Sequence, residues 1–77
     1  MRIKYDAQAD AVYIYLSDKP YAYGKDLDDS RHIDYAADGT PIGIELLCVK
    51  KGVNPEDLPE QAKIIRLLEQ NRIKVFA

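Results

Sequence analysis

The sequence predicts an α+β fold, in which an antiparallel β-meander of four to five strands is followed by a C-terminal helix. Two observations predict it. Residues 11–16 and 42–46 alternate their side chains with a period of two, which is typical of strands. Residues 62–68 instead carry apolar side chains three and four positions apart, which is typical of a helix with one buried face. Because the two periods follow one another, we expect the sheet first and the helix second.

Alternation predicts the first strands, and turn residues separate them. Residues 3–5 form a short first strand, and residues 6–10 form a turn because aspartate side chains readily bond their own backbone. Residues 11–16 are the clearest strand, and apolar bulk on both of its faces places it centrally or beneath a cover. Residues 21–27 are predicted as an edge strand, which a glycine weakens. Residues 31–35 form the next strand.

The second half of the meander contains a hairpin. Asp38-Gly39 predicts its turn, since this pair accepts the positive φ angles of a type I′ turn. In residues 42–46 the two isoleucines and the leucine share one face, while Gly43 and Glu45 share the other. Gly43 leaves space there for a neighbouring backbone or side chain to come close.

The chain changes character after the last strand of the meander. Residues 54–57 predict the cap and first turn of a short helical piece, with proline at its preferred first position. Pro59 opens a second helix that runs to about Gln70, with Asn71 as its C-terminal cap. Residues 72–76 alternate again, so a final short strand is an option. We expect the helix stripe to pack on the sheet, the alternative being that it contacts another subunit.

Length and composition indicate one small folded domain. It spans residues 1–77, with the meander in 1–49 and a helical C-terminal extension in 50–77. A hydrophobic content of 47% and a charged content of 31% argue against disorder. Because so short a chain buries a small core, we expect self-association, most simply as a homodimer.

Several partners and compartments are disfavoured. A net charge of −2 does not indicate a polyanion partner, so nucleic acid is not expected. No apolar stretch reaches the ~20 residues that span a bilayer, and the N-terminus has no signal-like apolar segment. The single cysteine, Cys48, cannot form an internal disulfide and lies in an apolar run, where a buried thiol is the default. We therefore expect a cytoplasmic protein without membrane contact.

The chain offers few residues for catalysis. One histidine and one cysteine exclude an ordinary structural zinc site, and the spacing of the acids matches no calcium loop. The glycines form no phosphate-binding pattern. We therefore expect no metal and no cofactor. The alternative is a small enzyme that uses Glu45, Asp34 and His32, because two of these share a strand face and Glu45 is the most suggestive acid.

The sequence has more features of an interaction surface than of a catalytic site. Tyrosine buries a large area at low entropy cost and keeps a polar tip, so tyrosines on neighbouring strands favour an interface. The acid-rich segment suits a basic partner, and the apolar helix and C-terminus suit another subunit. The candidate interaction residues are Tyr13, Tyr15, Tyr35, Asp28, Asp29, Ile64, Leu67, Leu68 and Phe76.

Several short blocks resemble a known family. Residues 5–17 read Tyr-Asp-(three residues)-Asp-Ala-Val-Tyr-Ile-Tyr-Leu-Ser. The later blocks are Leu-Asp-Asp at 27–29, Ile-Asp-Tyr at 33–35, Asp-Gly at 38–39 and Ile-Gly-Ile-Glu-Leu at 42–46. Together they resemble the small prokaryotic family known as domain of unknown function 2283, over about residues 3–47. The proline that members often carry after the first Tyr-Asp is Ala7 here.

The resemblance implies a compact β-meander and no established activity. Members of such short families are often encoded beside small toxin-like proteins, which implies an antitoxin-like role with a small basic protein as partner. We therefore predict a non-enzymatic interaction module. A second alternative to it is a weak nucleic-acid-binding regulator that uses the basic side chains of the C-terminal helix and its flank, namely Lys63, Arg66, Arg72 and Lys74.

Overall fold

The computed structural model describes residues 1–76. Over this range the chain forms a five-stranded antiparallel sheet and a C-terminal α-helix, which confirms the predicted α+β fold. No helix in this part of the chain has the length and apolar character needed to cross a membrane. The elements are β1 (Arg2–Asp6), β2 (Ala11–Tyr15), β3 (Tyr23–Asp28), β4 (Arg31–Tyr35), β5 (Pro41–Leu47), a 3-10 helix (Val49–Lys51) and α1 (Gln61–Gln70).

The strand order is β1-β2-β5-β4-β3, and every neighbouring pair is antiparallel. Strands β3, β4 and β5 follow one another as a meander, whereas β2 pairs with β5. The chain between β2 and β3 therefore crosses from one half of the sheet to the far edge. Strand β5 is central, and β1 and β3 are the edges, as predicted for β3.

One face of the sheet is apolar because the apolar side chains of neighbouring strands are in register and point to the same side. A row of isoleucines crosses four strands, namely Ile3, Ile14, Ile44 and Ile33. Helix α1 covers this face with Ile64 and Leu68, which are both 0% exposed and belong to the same cluster. The helix stripe therefore packs on the sheet as expected. Two of the candidate interaction residues, Ile64 and Leu68, are therefore buried and not available to a partner. A third, Leu67, is half-buried against the core.

The β4–β5 turn is not the type I′ turn that Asp38-Gly39 suggested. The N–H of Gly39 donates to the carbonyl of Ala36 at 3.0 Å, so Ala37 and Asp38 are the central residues. Neither of them has a positive φ; only Gly39, after them, is left-handed, with φ of 85°. A right-handed turn followed by one left-handed glycine is the other common way to close a hairpin.

The C-terminal extension begins differently from the prediction. Residues 54–57 form a turn rather than a helical piece, and the 3-10 helix at Val49–Lys51 was not predicted. Helix α1 begins at Gln61, later than expected, because Glu60 before it has a left-handed φ of 49°. A right-handed helix cannot include that conformation.

Helix α1 ends in a Schellman motif. Asn71 is the C-cap, as predicted. Arg72 then turns left-handed with φ of 60°, and the N–H of Ile73 donates to the carbonyl of Leu68 at 3.0 Å. The motif returns the chain towards the sheet, so that Ile73 joins the core.

The extension is fastened to the sheet by a nearly buried arginine. The side chain of Arg31 on β4 is 11% exposed. Its Nη1 donates to the carbonyl of Asn54 at 3.0 Å and also to that of Glu56. Within the extension, Val53 and Val75 form an isolated parallel bridge, which takes the place of the optional final strand.

Candidate functional site

The sheet face opposite α1, which we call the uncovered face, carries polar and aromatic side chains. They come into register as two rows that run across all five strands. The first row is Lys4, Tyr13, Glu45, His32 and Asp26, and the second is Arg2, Tyr15, Gly43, Asp34 and Gly24. The alternation that builds the core on one face thus assembles this surface on the other.

A chain of hydrogen bonds links three strands on the uncovered face. The hydroxyl of Tyr13 on β2 donates to Oδ2 of Asp34 on β4 at 2.6 Å. The other oxygen of Asp34, Oδ1, lies 2.9 Å from Nε2 of His32. Nδ1 of His32 lies 2.6 Å from Oδ1 of Asp26 on the edge strand β3. We call these four side chains the face network.

Two glycines make the face network possible. Tyr13 reaches Asp34 by lying across β5, where a Cβ on Gly43 would be 1.9 Å from the Tyr13 hydroxyl oxygen. A Cβ on Gly24 would likewise be 2.5 Å from Nε2 of His32. Both distances are far inside van der Waals contact, so any side chain there would displace the ring. Gly43 therefore has the role that its sequence position indicated, as a site of close approach.

The network changes the proton affinities of its members. Partial burial, together with the hydrogen bond to the Asp34 carboxylate, raises the pKa of Tyr13 well above its usual value, so its hydroxyl stays protonated. The hydrogen bond to Asp26, helped by Asp34 and opposed by partial burial, raises the pKa of His32. Each shift favours the protonation state that keeps the network intact.

The arrangement leaves His32 and Asp34 little freedom for chemistry. A general base needs a lone pair that can reach a substrate proton. Both ring nitrogens of His32 face carboxylates, and both oxygens of Asp34 accept hydrogen bonds within the network. Glu45 is exposed beside them. Of the three acid–base candidates from the sequence, only Glu45 therefore presents its group to solvent without an internal partner among the contacts described.

The three candidate tyrosines do not form one patch, so that part of the prediction is wrong. Tyr13 and Tyr15 lie edge to face on the uncovered face, with ring centroids 4.8 Å apart. Tyr35 lies on the opposite face, where it packs against the core and stacks on Tyr23 at 5.1 Å. Tyr35 follows Ile33 by two residues in β4, so both point to the sheet face that the helix covers. In addition, β5 separates β2 from β4.

The acidic candidates lie at the β3–β4 turn with different roles. Asp28 accepts from the backbone N–H of Ser30 and from the guanidinium of Arg31, and these contacts lower its pKa. Asp29 is exposed. Near this turn, a shallow pocket of about 210 Å³ is lined by Asp29 together with Asp26, His32 and Glu45 of the uncovered face.

Around the same turn, a larger open pocket of about 490 Å³ continues to the C-terminal extension. Phe76, which is 47% exposed, lines it beside Gly52 and Cys48. Cys48 is exposed rather than buried as expected, because its left-handed φ of 56° breaks the strand alternation after β5. The four basic candidates in the helix and its flank are exposed, and Lys63 pairs with Glu60 at 3.4 Å.

No group of three or more histidine, cysteine, aspartate or glutamate side chains among residues 1–76 is arranged to hold a metal ion. The fold and the site thus define a small α+β protein whose sheet is covered on one face and carries an ordered polar network on the other. A family model for proteins of unknown function (DUF2283) matches residues 2–50. The chain belongs to that family. Comparisons with curated proteins and with solved structures find no match.

Proposed function

We propose that the protein is a non-enzymatic interaction module that associates with a second copy of itself through the uncovered face. The observation that carries the proposal is the distribution of charge across this face. Arg2 and Lys4 lie on edge strand β1, whereas Asp26 and Glu45 lie on β3 and β5. Even with Asp6, which shares the face of Arg2 and Lys4, the β1 side of the face has a net positive charge, whereas the part from β5 to β3 has a net negative charge.

A face of this kind is complementary to itself. In a two-fold dimer the same surface of both copies is used, and each residue meets a different residue of the partner. Rotation about an axis that lies between the two faces, parallel to the strands and near β2, places the basic side of one copy over the acidic side of the other, so that Lys4 faces Glu45 of the second copy. Unlike charges then meet on both sides of the axis, and Tyr13 and Tyr15 lie near the centre, where aromatic side chains contribute most.

The size of the face sets the expected strength. Five strands about 4.8 Å apart, and strands of five residues at about 3.4 Å per residue, give a face of about 19 by 17 Å. Its flat area of roughly 320 Å² is well below the ~800 Å² per partner of a stable interface. We therefore expect a reversible dimer that depends on concentration and weakens in salt.

The occupied nitrogens of His32 support a role without catalysis. The side chain best suited to proton transfer near neutral pH is held between two carboxylates, and its neighbour Asp34 is held by Tyr13. A network of this kind orders the surface that a partner meets, so less conformational freedom is lost on binding. Glu45→Gln tests the enzymatic alternative, which requires that this variant lose a turnover while it stays folded.

Charge reversal with complementation tests the dimer. Analytical ultracentrifugation of the wild type over a range of concentrations should show a monomer–dimer equilibrium. Lys4→Glu makes the face acidic and Glu45→Lys makes it more basic, so each variant alone should be monomeric where the wild type dimerises. An equal mixture of the two should associate again, since the opposite charges are restored between copies. Lys63→Glu on the exposed side of α1 is the matched control and should behave as the wild type does.

A wild type that remains monomeric at every concentration would overturn the proposal. Dimerisation of both charge variants with unchanged affinity would show that the chain associates through another surface. Association of the mixture no tighter than that of either variant would show that charge does not guide it.

A small basic protein is the second candidate partner, and it corresponds to the antitoxin-like role. The acidic side chains around the pocket at the β3–β4 turn favour it. Asp29→Lys is the informative variant, because Asp28 also holds Arg31 and its loss would disturb the fold. Co-purification from the native host should yield one small basic protein in stoichiometric amount, and Asp29→Lys should reduce its recovery. Equal recovery of the partner with the wild type and with Asp29→Lys would argue against this surface.

A further inference from the structure

We propose that His32 is a pH-dependent clamp that holds edge strand β3 to the rest of the sheet when its ring carries two protons and releases it when one is lost. The inference goes beyond the proposed function, because it concerns β3 whether or not the chain forms a dimer. It rests on the position of the imidazole between two carboxylates on neighbouring strands.

The geometry itself requires the doubly protonated ring. A carboxylate only accepts hydrogen bonds, and a neutral imidazole has one donor nitrogen and one acceptor nitrogen. Nδ1 lies 2.6 Å from an oxygen of Asp26, and Nε2 lies 2.9 Å from an oxygen of Asp34. Both contacts are hydrogen bonds at once only in the imidazolium form, with both aspartates ionised.

Carboxylates from three strands lie around the ring and favour that form, whereas partial burial opposes it. Strand β3 contributes Asp26, β4 contributes Asp34, and Glu45 of β5 is the register partner of His32. From β2, Tyr13 donates a hydrogen bond to Asp34. Three carboxylates thus lie beside the ring, and the two that bond it, Asp26 and Asp34, raise the pKa of His32.

Apart from its backbone ladder to β4 and the stacking of Tyr23 on Tyr35, strand β3 has little else to hold it. It pairs only with β4, and five of its six residues are exposed. Edge segments with few buried apolar contacts open at low free energy, so one side-chain contact strongly affects their opening. Asp26, whose side chain is 77% exposed, is the β3 member of the clamp.

The sign of the pH dependence follows from the raised pKa of His32. The contribution to stability is fully present below the ordinary imidazole pKa, about 6.5, and it is lost as the pH rises through the higher pKa of the folded protein. The remaining proton stays on Nε2, because an unsatisfied Asp34, 19% exposed, is less well solvated than Asp26. Asp26 is then released, and with it β3.

Amide hydrogen exchange combined with a histidine titration tests the clamp. The imidazole nitrogens of His32 are titrated by NMR, and protection factors are measured for the β3 amides that bond to β4. We expect His32 to titrate above 6.5 and β3 protection to fall on the order of 3- to 10-fold across that titration. Strand β1, the other edge of the same sheet, is the internal control and should keep its protection.

Asp26→Asn separates the clamp from general effects of pH. It keeps the shape of the side chain and removes the charge, so His32 should titrate at lower pH and β3 protection should become nearly independent of pH. His32→Gln should give the same pH-independent protection if it folds. Protection of β3 that stays constant while wild-type His32 titrates, or a His32 titration at or below 6.5, would overturn the proposal.

Discussion

Gly43→Ala is expected to destabilise the protein, although alanine normally suits a strand better than glycine. The Cβ would lie 1.9 Å from the hydroxyl oxygen of Tyr13 and 2.4 Å from Cζ of its ring, so the ring must leave β5. The hydrogen bond from Tyr13 to Asp34 is then lost. A hydrogen bond to a charged group contributes about 1.5–3 kcal/mol to stability.

The opposing effect is the restriction of the unfolded chain. Gly43 does not have a positive φ, so alanine fits its backbone and gains about 0.4–1 kcal/mol through the unfolded state. The net loss in the free energy of unfolding is about 0.5–2.6 kcal/mol, by difference of the two effects. For a domain of this size it corresponds to a fall in Tm of about 2–20 °C. Denaturant unfolding and thermal melts followed by circular dichroism measure both quantities.

The decisive measurement is the same substitution in a Tyr13→Ala background. The three atoms nearest to the added Cβ all belong to Tyr13, so without that ring the clash disappears and Gly43→Ala should stabilise by about 0.4–1 kcal/mol. A Tyr15→Ala background is the matched control and should leave Gly43→Ala destabilising. Equal effects of Gly43→Ala in the wild type and in Tyr13→Ala would refute the reasoning.

Three further substitutions test the C-terminal extension by denaturant unfolding. Arg72→Gly should stabilise by about 0.5–1 kcal/mol, because glycine adopts the left-handed conformation at this C′ position without strain; a loss of stability would contradict the Schellman assignment. Arg31→Met should destabilise by about 1–3 kcal/mol and speed exchange in residues 53–58, since two backbone carbonyls lose their donor; unchanged exchange would show that the arginine does not fasten the extension. Leu68→Ala should destabilise by about 2–5 kcal/mol, whereas a loss below 1 kcal/mol would place the helix off the sheet.

The sequence predicts which side chains share a face far better than which strands are neighbours. Alternation in residues 11–16 separates Val12 and Ile14 from Tyr13 correctly, because parity is a local property of an extended chain. The pairing of β2 with β5 joins segments about thirty residues apart. Alternation with a period of two is local and gives no information about which distant segments pair, so the strand order could not be predicted from it.

The face network shows the same limit at the level of a site. Gly43 was identified as a point of close approach, but the ring that occupies it comes from a strand whose neighbour was not known. The spacing of His32 and Asp34 predicts that they share a strand face, whereas the hydrogen bond between His32 and Asp26 depends on the β3–β4 register, which the sequence does not specify. The sequence alone can predict the position of Tyr35, because residues two apart in a strand point to the same face and Ile33 is a core residue.

The hydrophobic core extends beyond the residues that the family model matches. Among residues 1–76, five of the eleven members of the buried cluster lie after residue 50, namely Val53, Leu58, Ile64, Leu68 and Ile73. During synthesis the sheet strands emerge from the ribosome before these residues do, and until then their apolar face lacks the helix that covers it. We therefore expect the native core to form only after helix α1 has emerged, and the apolar face of the sheet to stay uncovered until then.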